Sequence, residues 1–169
     1  MEFKILYEEM ANSTEMIRAL LSGISQEEAR LKPGADSWSI LEVTCHLYDE
    51  EREDFREHLD FILNRQNGEW HQINPEGWVA ERKYNEQDFR TMKEKFFDGR
   101  KKSLEWLKEL AGTDWDKPYS SPSGSMTAGD MFASWVEHDN LHIRQLVELR
   151  RNRIENITKP YDIQYAGDW

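Results

Sequence analysis

The sequence predicts an all-α protein, a four-helix bundle of up-down-down-up topology with a long crossover between its second and third helices. Three observations carry this. Four segments return apolar residues every three to four positions, no segment shows strand alternation, and 169 residues suffice for one domain but not two. A single domain is therefore expected over residues 1–169, with the tail from about 158 to 169 extended and packed on the bundle.

The first helix is expected from Phe3 to Leu21, with Leu6, Met10, Ile17 and Leu21 on one face. Gly23 and then Lys32-Pro33-Gly34 separate it from the second. Ser37 is the candidate N-cap of that second helix, because its hydroxyl can accept from an orphan N–H one turn in. Leu41, Cys45, Tyr48, Phe55, Leu59 and Ile62 then form a stripe ending near Asn64. Ile40, Val43 and Leu47 add a second apolar line over the first half, which suits burial by several neighbours.

Residues 65–84 read as an irregular crossover, marked by Asn67-Gly68, Pro75 and Glu76-Gly77. About 20 residues can stretch about 66 Å, whereas a second helix of about 28 residues is about 42 Å long. The crossover can therefore run back along the bundle and leave helices two and three parallel. Asn85 and Asp88 mark the start of the third helix, which carries Phe89, Met92, Phe96, Leu104, Leu107 and Leu110. Gly112 and the turn-rich stretch from Asp116-Lys117-Pro118 to Ser123-Gly124 end it. Thr127 followed by Asp130 caps the fourth helix, which reaches about Asn152 with Met131, Trp135, His138, His142, Leu146 and Leu149 in line. The tail begins at Pro160 and keeps Tyr161, Tyr165 and Trp169.

Lys and Arg number 22 against 33 Asp and Glu, a net charge of −11, which argues against a protein that grips nucleic acid through its phosphates. No run of about 18 apolar residues is available to span a membrane. Met1-Glu2-Phe3-Lys4 lacks the pattern of a signal peptide. One cysteine, Cys45, excludes an internal disulfide framework and any CxxC site. A soluble, cytoplasmic domain is expected. With only 38% hydrophobic residues, its core must draw on seven Trp and six Tyr, each able to bury about 150–250 Å².

The five histidines are His46, His58, His71, His138 and His142. His138 and His142 lie four apart on the inward stripe of a helix, so both rings can reach one divalent cation. Asp139, Asn140 and Leu141 stand between them, so the Glu of an HExxH peptidase is missing. Each unsatisfied imidazole nitrogen in a core costs about 1–3 kcal/mol, a penalty one cation removes for both rings. His46, on the apolar half of helix two, matches their depth and is the third candidate ligand. Its other reading is an ordinary core histidine bonded to a carbonyl. His58 lies twelve residues on, about 18 Å away, and is expected to be solvated like its neighbours Arg56, Glu57 and Asp60. His71 reads as a surface residue and Cys45, turned by about 100° from His46, as a small core residue. Asp49 and Glu42 are candidates for fixing the His46 tautomer. Glu81 and Arg82 could line a pocket mouth or form an interhelical salt bridge, and Trp78, Trp135 and Tyr84 could wall a cavity or fill the core.

Three stretches also resemble a known family. Lys32-Pro33-Gly34-Ala35-Asp36-Ser37-Trp38-Ser39-Ile40-Leu41-Glu42-Val43-Thr44-Cys45-His46-Leu47 is similar to the PG-W-S-x-x-E-x-x-x-H-L signature of the DinB-like (YfiT) superfamily. Trp78-Val79-Ala80-Glu81-Arg82-Lys83-Tyr84-Asn85 and Glu137-His138-Asp139-Asn140-Leu141-His142-Ile143-Arg144-Gln145 follow in the family's order. The resemblance implies an up-down-down-up bundle holding a divalent metal on His46, His138 and His142. It implies a metal-dependent transferase using a low-molecular-weight thiol such as bacillithiol or mycothiol, or a hydrolase, acting on a small electrophilic substrate. It identifies no catalytic residue. Nickel and zinc both suit imidazole ligands. Two other readings stand beside these: a non-catalytic, stress-associated metal-binding bundle, and a homodimeric interaction module using the aromatic tail.

Overall fold

A computed structural model describes residues 2–66, 68–121 and 124–167. Asn67 and Ser123, from the expected turns, and Trp169, from the expected tail packing, lie outside the described residues.

Helix α1 spans Phe3–Leu20 and the single-turn α2 spans Gln26–Ala29. A long rod over residues 40–65 follows. It consists of α3 (Ile40–Asp49), a π-helical segment Glu50–Phe55, α4 (Arg56–Asp60) and a second π-helical segment Phe61–Arg65. Helices α6 (Phe89–Glu109) and α7 (Ala128–Ile157) complete a bundle of four long rods.

Local chemistry explains most boundaries. The rod over 40–65 is capped by Ser39, not Ser37: Ser39 Oγ accepts from the Glu42 N–H at 3.1 Å and the Glu42 carboxylate accepts from the Ser39 N–H at 2.8 Å. Ser37 has Ile40 three residues on, so it has no partner for a reciprocal cap, whereas Ser39 has Glu42. Asp88 caps α6 and Thr127 caps α7 in a box with Asp130. Helix α7 continues to Ile157, beyond the expected Asn152.

Two parts of the chain expected to be irregular are ordered. The crossover contains α5 (Pro75–Glu81), started by Asn74, whose side chain accepts from the Gly77 N–H, and by Pro75 at the first helical position. After α6, β1 (Pro118–Ser121) and β2 (Gly124–Thr127) pair antiparallel with Tyr119 opposite Met126. Four-residue strands are too short to show alternation in the sequence. The tail departs from expectation too. Gln164–Ala166 forms a 3-10 turn, and Tyr161 and Tyr165 are 80% and 105% exposed. Tyr161 and Tyr165 are four apart, but α7 ends at Ile157 before Pro160 and only the short turn over Gln164–Ala166 follows, so no helix carries both rings onto one face of the bundle.

The core has two apolar clusters. One holds Ile17, Leu41, Leu47, Tyr84, Phe96 and Leu146; the other holds Met10, Phe55, Leu59, Leu107, Phe132 and Trp135. Between them every rod contributes a buried polar residue: Thr14, Glu51, Arg100 and Asp139. Lys95 lies over the Tyr48 ring and Arg100 donates to Glu51, so contacts step forward together between the second and third rods. They step in opposite senses between the second rod and α7, where His46 meets His138 and His142 while Phe55 stacks on Trp135.

Candidate metal centre

His46 projects from α3, and His138 and His142 from successive turns of α7. The Nε2 atom of His138 lies 3.2 Å from Nε2 of His46 and 3.0 Å from Nε2 of His142. One ring nitrogen from each of the three lies within 4.8 Å of the others, so the spacing read from the sequence does converge in space. At the edge of the centre, Gln145 Oε1 accepts from His142 Nδ1 at 2.8 Å. That bond puts the His142 proton on Nδ1 and leaves the Nε2 lone pair facing the other two rings. Trp38 packs edge-on against His46 and Phe55 against His138, with ring centroids 4.8 Å and 4.9 Å apart.

All three rings are held neutral. Burial, followed by the His142 and His138 rings, pushes His46 down to about 2. Burial, the His142 ring and the Arg100 guanidinium push His138 down to about 3, and burial lowers His142 as well. Three neutral imidazoles with nitrogens this close cannot satisfy one another. The single proton that His138 Nε2 can carry serves at most one neighbour, and the remaining lone pairs repel. His46 Nδ1 also has no hydrogen-bond partner. A divalent cation accepts all three lone pairs at once, so the donor set fits one.

A cleft of about 610 Å³ opens beside His142 and is walled by Trp38, Ser37, Asp36, Gln145 and Glu148 among others. Trp38 therefore touches both a candidate ligand and the cleft. Sequence reasoning singled out other aromatics: Trp78, Tyr84 and Trp135 are buried, the first two in the first apolar cluster and Trp135 in the second, and none lines the cleft.

The carboxylates flanking His46 also sort differently from expectation. Glu42 serves the helix cap and Lys32, 2.8 Å away. Asp49 accepts from the Tyr84 hydroxyl at 2.6 Å and pairs with Arg82 at 2.7 Å. Arg82 also pairs with Glu53, so the interhelical salt-bridge reading of Arg82 holds. The carboxylate that faces His46 is Glu50, with Oε1 3.9 Å from Nδ1. Burial, then Asp54 and Asp49, pushes its carboxyl up to about 9.

The remaining candidates lie elsewhere. His58 is buried rather than solvated: Nδ1 is 2.6 Å from Asp54, Nε2 donates to the His71 carbonyl at 2.8 Å, and Trp70 stacks on the ring. Its solvated neighbours in sequence misled, because the crossover folds over it. His71 is exposed, as expected. Cys45 is buried, its thiol pushed up to about 12 by burial and then by Asp49 and Glu42, which suits a core residue and not a thiolate ligand.

A sequence model of the DinB superfamily matches residues 9–146. Among solved structures, the chain is similar to YfiT from Bacillus subtilis, with a TM-score of 0.77 at 12% identity, over 90% of this chain and 87% of that one. That protein is described as a probable metal-dependent hydrolase with an unusual four-helix bundle topology. No curated protein matches the chain.

Proposed function

This chain belongs to the DinB superfamily, and on that premise we propose that it is a metal-dependent enzyme acting on a small electrophilic substrate in the cleft beside His142. The nucleophile is water, in a hydrolase, or a low-molecular-weight thiol, in a transferase. The observation that carries the proposal is the set of three imidazole nitrogens within 4.8 Å of one another, one of them belonging to His142, which lines that cleft.

In this reading His46, His138 and His142 hold the cation, and nickel and zinc both suit such a donor set. Bound there, a divalent cation supplies Lewis acidity, which makes water or a thiol easier to deprotonate and polarises the electrophile. Three protein ligands leave coordination room, which distinguishes a catalytic from a closed structural site. Gln145 keeps His142 in the ligating tautomer. Trp38 supplies an apolar wall for the substrate and shields His46 from water. Asp36 and Glu148 are the carboxylates lining the cleft, placed to take the proton that the nucleophile loses. The up-down-down-up order belongs to this reading as well, since it sets His46 at the depth of the pair on α7. A cytoplasmic location fits it, because small thiols are kept reduced there.

The test is a nucleophile screen. Protein loaded with zinc or nickel is offered an electrophilic ester or haloarene, first in water alone and then with each small thiol. Turnover in water identifies a hydrolase, and turnover only with a thiol identifies a transferase. The absence of turnover with every nucleophile, on protein carrying its metal, contradicts the catalytic reading.

A further inference from the structure

We propose that Glu50 is the positioning residue of His46, its carboxylate accepting the Nδ1–H of the ring while Asp54 and His58 hold it from behind. The inference rests on the reading of the three histidines as a metal centre and assigns a part that the ligands themselves do not reveal.

Two buried atoms without a hydrogen-bond partner, His46 Nδ1 and Glu50 Oε1, lie 3.9 Å apart. Their side chains are only 7% and 5% exposed, so neither is satisfied by solvent. An imidazole that offers Nε2 to a cation carries its proton on Nδ1, and that proton needs an acceptor. The gap closes by about 1 Å, a small rotation of either side chain, to reach ordinary hydrogen-bond length. His142 already shows the same solution with Gln145 as the acceptor. The other acids near His46 are committed elsewhere, Glu42 to the cap and Asp49 to Tyr84 and Arg82.

Support for Glu50 comes from behind. Asp54, one turn on, is near enough to push the Glu50 carboxyl up. Asp54 Oδ1 meets His58 Nδ1 at 2.6 Å, and His58 Nε2 meets the His71 carbonyl at 2.8 Å. Trp70 lies flat on the His58 ring at 3.9 Å. His46, Glu50, Asp54 and His58 thus form a polar ladder at four-residue spacing, running through the π-helical segment Glu50–Phe55. π-helical turns recur at functional sites, and here the turn begins at Glu50.

Metal-free wild type, Glu50→Gln, Glu50→Ala and Asp54→Asn would be titrated with zinc and with cobalt(II). The readouts are the dissociation constant, the cobalt ligand-field spectrum and the Nδ1–H proton resonance of His46 in the zinc form. Glu50→Ala is expected to weaken binding by about ten- to a hundred-fold and to move that resonance upfield. Glu50→Gln, whose amide oxygen still accepts, should lie between Glu50→Ala and wild type and decides the matter if the alanine variant does not fold. Asp54→Asn should weaken binding less than Glu50→Ala. Wild-type affinity and an unmoved resonance in the Glu50 variants would overturn this assignment while leaving the metal centre standing. A wild type that binds neither ion would overturn both.

Discussion

Arg100 on α6 grips Asp139 on α7 through two guanidinium nitrogens, Nη1 to Oδ2 at 2.5 Å and Nη2 to Oδ1 at 2.9 Å, with neither side chain more than 1% exposed. Its Nε also donates to Glu51 at 2.8 Å, and Trp135 Nε1 reaches the same carboxylate oxygen at 3.3 Å. Asp139 directly follows His138, so the knot fixes the turn of α7 that carries a candidate ligand. Removing one partner of a buried ion group leaves uncompensated charge, at about 3–5 kcal/mol. Arg100→Met should therefore lower the urea-unfolding free energy by about that amount, and replacing the exposed Lys101 by Met should change it by less than about 0.5 kcal/mol. Equal effects of the two would show that the knot contributes nothing.

The helix cap gives a second contrast. Ser39→Ala loses the hydroxyl half of the box with Glu42 and a 2.8 Å hydrogen bond to Asn85, keeping only the backbone N–H to the Glu42 carboxylate. It should cost about 1 kcal/mol or more. Ser37→Ala, two residues earlier, should leave the thermal midpoint unchanged. The reverse order of effects would restore the cap to Ser37.

Acidity should shape the stability of the metal-free protein in both directions. His46 and His138 are held down to about 2 and about 3 against an ordinary 6.5, so below pH 6.5 the unfolded chain binds protons that the folded chain does not. Stability then falls with falling pH by about 1.4 kcal/mol per unit for each ring. Glu50, raised from 4.5 to about 9, works oppositely: as pH rises through that window the unfolded chain has released a proton that the folded chain retains. Of these groups only Glu50 titrates above 6.5, and the two histidines outweigh it below, so the curve should peak near pH 6.5. A thermal midpoint that keeps climbing through pH 8 or so would contradict this balance.

Trp38 joins the centre to the cleft, and its removal should separate binding from metal retention. In Trp38→Ala the substrate loses its apolar wall, and KM for a small aromatic electrophile should rise about tenfold, the equivalent of about 1.4 kcal/mol. Metal stoichiometry should stay at the wild-type value. A KM that does not move would remove Trp38 from the substrate site.

The bundle and its three histidines were legible because both depend on spacing that a helix preserves. His138 and His142 sit on the stripe of Trp135 and Leu146, and that line points inward in the fold. The ionic knot left a signal that went unread. Arg100 falls on the stripe of Met92, Phe96, Ser103 and Leu107, all buried, and a charge at such a position needs a buried partner. Its setting in Asp98-Gly99-Arg100-Lys101-Lys102 looked like a solvated face. Glu50 was hidden for another reason. The π-helical segment that starts there departs from the 3.6-residue period on which sequence patterning rests, and nothing in Glu50-Glu51-Arg52-Glu53-Asp54-Phe55 marks it. Burial of His58 depends on where the crossover lands, which is tertiary information.

Metal content is the most direct test of the account. Wild-type protein equilibrated with zinc or nickel and freed of excess ion should carry about one equivalent per chain by elemental analysis. His46→Ala, His138→Ala and His142→Ala should each carry almost none, while far-UV circular dichroism stays helical. A wild type that retains no metal, or alanine variants that keep it, would contradict the assignment of these three residues.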